Sequence, residues 1–268
     1  MKYYGKNAQI SCKNWNFLFV KFLFLLFINE LKIHIVFYLI YQGIKLSTIF
    51  DILGPIMVGP SSSHTAGAVR IGLVARTLLE DDVIYAEIQF SGSFAATHKG
   101  HGTDCAIVAG LLGMQPDDIK IPDSLKIAEK KKLNFYFSNI DLSDAHPNTV
   151  VLSIQGKKGR KLSVQASSIG GGRIMINKID GITVNCSAEM PTLIVHNSDE
   201  PGHVAAVTSL LFYNKINIAQ MQLFRNERGG YAVMVVESDQ QIPPQIISSI
   251  EKFPGIIRVT YINPSRGE

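Results

Sequence analysis

The sequence predicts an α+β protein in two folded parts, and three observations carry that reading. Residues 191–263 alternate strand, helix, strand, strand, helix, strand; residues 149–166 read as a hairpin around Gly156 and Gly159; and the helical periodicities at 65–79 and 103–112 stand apart from these strands.

Each element has a local reason. In 65–79, Val69, Leu73, Val74 and Leu78 recur on a helical period behind a Ser-His stretch, with Ser63 as the expected cap. Residues 83–90 alternate as a strand and run into SGSFAATHKGHGTD, read as a loop, before the apolar helix 103–112, for which Thr103 or Asp104 could cap. A polar helical stretch ends at Lys130, Lys131 and Lys132, a solvated face. After the hairpin, strands at 173–179 and 182–185 follow Gly170, Gly171 and Gly172, whose run lacks the GxGxxG spacing of a dinucleotide site and reads as a bend. The last region gives strand 191–196, helix 202–213, strands 216–224 and 230–237, helix 243–252 and strand 255–262. That order, βαββαβ, is the ferredoxin-like arrangement of two helices on one face of a four-stranded antiparallel sheet. Residues 226–230 supply a hairpin turn, and Pro243 and Pro244 open the second helix, where a missing N–H costs little.

Composition narrows the function. The 268 residues are 46% hydrophobic and 18% charged, enough for a sizeable core, and 22 Gly with 11 Pro exclude a collagen-like or disordered chain. Cys12, Cys105 and Cys186 are dispersed and odd in number, which excludes a disulfide scaffold and any Cys/His cluster of metal-ligand spacing and favours a reducing, cytoplasmic setting. The net charge of +4 is not a nucleic-acid signal, because residues 1–46 hold six Lys against one Glu while the rest is close to neutral.

Those first 46 residues also hold eleven of the 24 aromatic residues. The apolar run 17–28 contains Lys21, and Glu30 and Lys32 interrupt it before 33–41, so neither half reaches the roughly 20 residues of a spanning helix. A membrane anchor, a targeting peptide and translated sequence upstream of the true start compete; the third, with a start near Leu46, is favoured. The expected organisation is therefore an atypical extension at 1–46, a first domain at 47–186 and a second at 187–268.

Two polar clusters could carry chemistry. GPSSSHTAG, residues 59–67, stacks Ser61, Ser62, Ser63, His64 and Thr65 at a helix start, where free N–H groups and the helix dipole suit a carboxylate or phosphate; the plain alternative is a cap with an exposed His beside it. THKGHGTD, residues 97–104, brings His101, Gly102, Thr103 and Asp104 to the next helix. His98 and His101 lack the further ligands a metal site needs, so no metal is assigned. In the last region, Asn197, Asp199 and Gly202 form a turn into a helix that could take a small amino acid's carboxylate or be an ordinary capped turn.

The runs SIFDILGPIMVGPSSSHTAGAVRIG, FSGSFAATHKGHGTD and SIGGGRIMI resemble blocks of the beta subunit of the iron-sulfur L-serine dehydratases, and the segment from HNSDEPGH to VVESD looks like an ACT domain, an amino-acid-sensing module. The resemblance covers residues 47–268. It implies a lyase that converts L-serine to pyruvate and ammonia with an alpha subunit carrying a 4Fe-4S cluster, which this chain's three scattered Cys could not build. It further implies catalytic roles for His64, Ser62, Ser63 and Thr65, substrate contacts from Ser61, His101, Gly102, Thr103 and Asp104, and an allosteric amino-acid site, L-serine being the first candidate, at Asn197, Asp199 and Gly202 with Asn217. Residues 1–46 have no counterpart in the family pattern, and His203 stands where the module commonly has an aliphatic residue. A non-catalytic amino-acid sensor is the alternative from another class; a membrane-anchored sensor would rest on residues 1–46 alone.

Overall fold

A computed structural model describes residues 57–97 and 100–264. The expected extension at 1–46, with its competing readings and Cys12, lies outside the described residues, as do His98 and Lys99.

A turn of π-helix, Ser62–Gly67, leads into α1 (Ala68–Leu79), and then follow β1 (Val83–Phe90), α2 (Gly92–Thr97), α3 (Thr103–Leu111), α4 (Ser124–Lys130) and β2 (Asn134–Asn139). Four antiparallel strands complete the first sheet: β3 (Thr149–Gly156), β4 (Lys161–Gly170), β5 (Arg173–Ile179) and β6 (Ile182–Cys186). The order is β2-β1-β3-β4-β5-β6, parallel only between β1 and β2. Gly170, Gly171 and Gly172, all at positive φ, turn β4 into β5, which is the bend the sequence indicates.

Two elements depart from the sequence reading. The stretch 91–104, expected as a loop, contains α2, and the strand β2 had no expectation at all. β2 joins the sheet beside β1 by a parallel crossover through α2, α3 and α4, so no hairpin turn announces it.

The second sheet matches expectation closely. It comprises β7 (Thr192–Ser198), α5 (His203–Tyr213), β8 (Ile218–Arg225), β9 (Tyr231–Ser238), α6 (Pro244–Ile250) and β10 (Ile256–Ile262), in the antiparallel order β10-β7-β9-β8. That is the ferredoxin-like topology. Leu193, Val195, Met234, Val236 and Val259 face Val207, Leu211, Ile246 and Ile250 of the two helices. The other face is also covered: Ile194, Val233, Val235 and Ile262 join the core of the first sheet. Burial on both faces explains why β7 is buried at successive positions, with Leu193, Ile194 and Val195 adjacent and not alternating with polar residues.

In the first domain α1 and α3 touch backbone to backbone. A Cβ on Gly72 would fall 2.4 Å from the Ile107 carbonyl oxygen, and one on Gly110 only 2.1 Å from that of Val69. This close crossing lets the starts of the two helices converge. Phe90 and Phe94, fully buried and edge-on at 6.3 Å between ring centroids, anchor β1 and α2 beneath that point; each buried aromatic is worth about 1.5–3 kcal/mol of apolar burial.

Candidate functional site

The two polar clusters meet where α1 and α3 begin: the rings of His64 and His101, 37 residues apart in sequence, lie 5.1 Å apart. Ser61, not Ser63, is the cap. Its Oγ accepts the backbone N–H of His64 at 3.1 Å, and its carbonyl accepts the N–H of Thr65 at 2.9 Å. The expectation for Ser63 fails because the chain starts its winding earlier, as a π-helical turn; such widened turns recur at functional sites.

The His64 ring is held on three sides. Nδ1 lies 3.3 Å from Ser61 Oγ, Nε2 lies 3.2 Å from Ser93 Oγ, and Phe94 meets the ring edge-on at 5.3 Å. Burial, and then the neighbouring His101, hold its pKa below the usual value, so the ring is neutral at pH 7. A neutral, oriented imidazole beside a helix start can accept a proton and steer an anionic group.

The other candidates are placed differently. Ser62 and Ser63 are half-buried, and Ser63 Oγ approaches the β4–β5 turn, 4.0 Å from where a Cβ on Gly170 would be. Arg70 fastens the same turn by donating to the Gly172 carbonyl at 3.2 Å. Thr65 is buried with its Oγ1 unpartnered and its side chain pressed against Gly59, so it faces the chain rather than open space. Gly102, at φ 67°, occupies the cap position of α3; neither Thr103 nor Asp104 caps it, contrary to expectation. Asp104 accepts the N–H of Cys105 within the first turn at 2.8 Å, and Thr103 is fully buried with an unpartnered Oγ1. Residues the sequence reading passed over are Ser93 and Phe94. Both lie inside SGSFAAT, but an isolated Ser in an apparent loop carries no chemical signal until the fold sets it against His64.

Iron-sulfur ligation needs thiolates. Burial, and then Asp104, raise the Cys105 thiol, and burial pushes Cys186 up to about 11. The two thiols lie apart in the fold, one in α3 and one at the end of β6. No three His, Cys, Asp or Glu side chains among the described residues gather as a metal site, and no described helix is long and apolar enough to cross a membrane.

In the second domain, Asn197 is buried, donating to the Ser198 carbonyl at 2.6 Å and leaving its Oδ1 unpartnered. Asp199 accepts from Gly229 N–H at 2.9 Å and Arg225 at 3.0 Å, which clasps the β7–α5 turn to the β8–β9 hairpin and holds the carboxyl below its usual pKa. Gly202, at φ 107°, caps α5 without a side chain. His203 is buried, its Nε2 3.3 Å from Ser198 Oγ. Asn217 does not join this group within one chain. It precedes β8 beside Asp239 and Gln240, and since Ile218 pairs with Ser238 while Ser198 pairs with Tyr231, it lies at the opposite end of the sheet.

Between the domains lies a network the sequence did not announce. His196, buried on β7, bonds Tyr231 through Nδ1 and receives Arg258 at Nε2, 3.1 Å away; Arg258 also approaches Asp180 of the β5–β6 turn at 3.7 Å. Because Arg only donates, Nε2 carries the lone pair and Nδ1 the proton. Burial, followed by Arg258 and Arg160, drives the His196 pKa down to about 3.

An α+β first domain with a Ser/His site at two converging helix starts, joined to a ferredoxin-like second domain, is the class of protein defined so far. A family model described as serine dehydratase beta chain matches residues 48–134. The probable L-serine dehydratase beta chain of Bacillus subtilis (strain 168) is 42% identical over 218 residues, which are 81% of this chain and 99% of that protein. The L-serine dehydratase beta chain of Peptoniphilus asaccharolyticus is 39% identical over 202 residues, 75% of this chain and 91% of its own length. A D-3-phosphoglycerate dehydrogenase of Methanocaldococcus jannaschii is 27% identical over 197 residues, 73% of this chain but only 37% of the dehydrogenase. The chain belongs to the serine dehydratase beta chain family.

Proposed function

We propose that this chain is the beta subunit of an L-serine dehydratase, a carbon–nitrogen lyase that forms pyruvate and ammonia from L-serine together with an alpha subunit in the cytoplasm. The observation that carries the reading is the near-complete coverage of relatives named as beta chains of that enzyme. The 4Fe-4S cluster is assigned to the alpha subunit, since no three His, Cys, Asp or Glu side chains gather as a metal site among the described residues. His64 is this chain's contribution to proton handling, held neutral and oriented by Ser61 and Ser93. His101, Gly102 and Asp104 face the substrate at the start of α3, with Ser62 and Ser63 on the facing turn, and the buried Thr65 and Thr103 support the two helix starts from behind. The second domain, 187–268, acts as an ACT module that binds L-serine at Asn197, Asp199 and Gly202, completed by Asn217 of a second copy.

Anaerobic co-purification with a cysteine-rich partner, followed by a serine-to-pyruvate assay, tests this reading. Activity in the complex and none in the single chain supports it, whereas pyruvate formation and a cluster absorbance band in the reconstituted single chain would refute the division of labour. The alternative reading is a regulatory amino-acid sensor with no catalytic part. Failure of every cysteine-rich partner to yield serine deamination would select it.

A further inference from the structure

Ser93 is an otherwise unremarked serine whose position is fixed with unusual completeness. Its N–H donates to the Pro147 carbonyl at 2.7 Å, and its own carbonyl accepts Thr97 Oγ1 at 2.7 Å. The preceding Gly92 sits at φ 55° so close to Pro147 that a Cβ would lie 2.6 Å from the Pro147 oxygen. These contacts pin the first turn of α2 to the chain entering β3. The consequence is that Ser93 Oγ stands 3.2 Å from Nε2 of His64, the ring nitrogen pointing away from His64's own turn.

The two nitrogens have unlike neighbours. Ser61 Oγ lies within the same turn and already takes the His64 backbone N–H, so a lone pair on Nδ1 would be spent against the cap. A base needs its lone pair turned outward, on Nε2. Ser61 Oγ has a second lone pair with which to take Nδ1–H, and Ser93 Oγ–H can donate to Nε2. In hydrolase triads a carboxylate sets the tautomer in this way; here a capping hydroxyl stands at Nδ1 and a second hydroxyl at Nε2.

We propose that Ser93 is a positioning residue that, with Ser61, holds His64 as the Nδ1–H tautomer, its Nε2 lone pair accepting from Ser93 Oγ–H until substrate takes that place. This rests on the reading of His64 as the proton-handling group. Ser93 acts through His64: it orients the ring and keeps Nε2 free of a proton until substrate arrives.

The test has two arms that fail separately. In the full chain with 15N-labelled histidine, His64 should show the Nδ1–H pattern of shifts and couplings; Ser93→Ala should abolish that preference and Ser93→Thr, which keeps the hydroxyl, should retain it. A His64 found as the Nε2–H tautomer, or one unaffected by Ser93→Ala, overturns the proposal whatever the enzyme does. In the complex with the alpha subunit, Ser93→Ala should lower kcat about 10- to 10²-fold with little change in KM, and Ser93→Thr should recover most of it. Loss of tautomer preference with undiminished turnover would leave the geometry intact and remove His64 from catalysis. Equal loss in the Ala and Thr variants, with unfolding midpoints unchanged, would overturn the hydroxyl's role.

Discussion

Gly110 of α3 lies against Val69 of α1 with no room for a side chain: a Cβ at 110 would come within 2.1 Å of the Val69 carbonyl oxygen and 2.8 Å of the Gly72 Cα. The neighbours are backbone, so nothing can rotate aside. Gly110→Ala and Gly72→Ala are each expected to cost about 1–3 kcal/mol through overpacking, read as a lower urea midpoint. Because both wedge the same crossing, the double variant should lose less than the sum of the two. Full additivity would show that the helices are not held by this shared contact.

The same crossing brings His64 beside His101, and the proposed role of His64 follows from that placement. His64→Ala should lower kcat by about 10²- to 10⁴-fold in the complex with the alpha subunit, leaving complex formation unchanged. Ser61→Ala removes both the cap and the Nδ1 partner, so it should lose about 1 kcal/mol of stability as well as turnover, whereas Ser63→Ala, which is no cap, should leave stability within about 0.5 kcal/mol. Near-normal turnover by His64→Ala at saturating serine would assign the base to the alpha subunit.

Much of this site was readable in the sequence as pieces and not as a whole. GPSSSHTAG and THKGHGTD each declare a polar helix start, but their meeting is a product of tertiary packing at Gly72 and Gly110, which no local pattern encodes. Ser93 was invisible because α2 is six residues long and has no capping signal. β2 was missed for a related reason: a short parallel strand behind a run of lysines offers neither turn nor long alternation. The second domain was legible almost residue by residue, since its hairpin 226–230 and its Pro243-Pro244 helix start are local devices. What local devices could not tell is that its outer face would be buried, with His196 and Arg258 set into the junction.

His196 makes that junction sensitive to acid. Its pKa of about 3 in the folded chain lies below the 6.5 of a free His, so the unfolded chain binds the extra proton and the native state does not. The stabilisation is therefore complete above pH 6.5 and is lost as pH falls toward 3, with a slope of about 1.4 kcal/mol per pH unit for this one proton. Acidic groups add to the wild-type slope. The comparison that isolates His196 is with His196→Gln, whose stability should fall less steeply between pH 6 and 4, as followed by urea unfolding. Parallel curves for the two proteins would show that His196 takes up its proton without breaking the contacts to Tyr231 and Arg258.

Asn217 and the turn carrying Asn197, Asp199 and Gly202 stand at opposite ends of a sheet whose strands run seven to eight residues. At about 3.3 Å per residue they are on the order of 20 Å apart, too far for one small amino acid to touch both within a single chain. If both contribute to one L-serine site, the second residue must come from another copy. Asn197→Ala and Asn217→Ala should then each abolish the calorimetric binding of L-serine when prepared alone. An equimolar mixture of the two, refolded together, should regain a fraction of the sites, because one arrangement of mixed copies unites an intact Asn197 with an intact Asn217. Binding unaffected by Asn217→Ala would place the site wholly on the β7–α5 turn. Loss in both variants with no recovery in the mixture would mean that the two residues support binding separately, not by meeting across an interface.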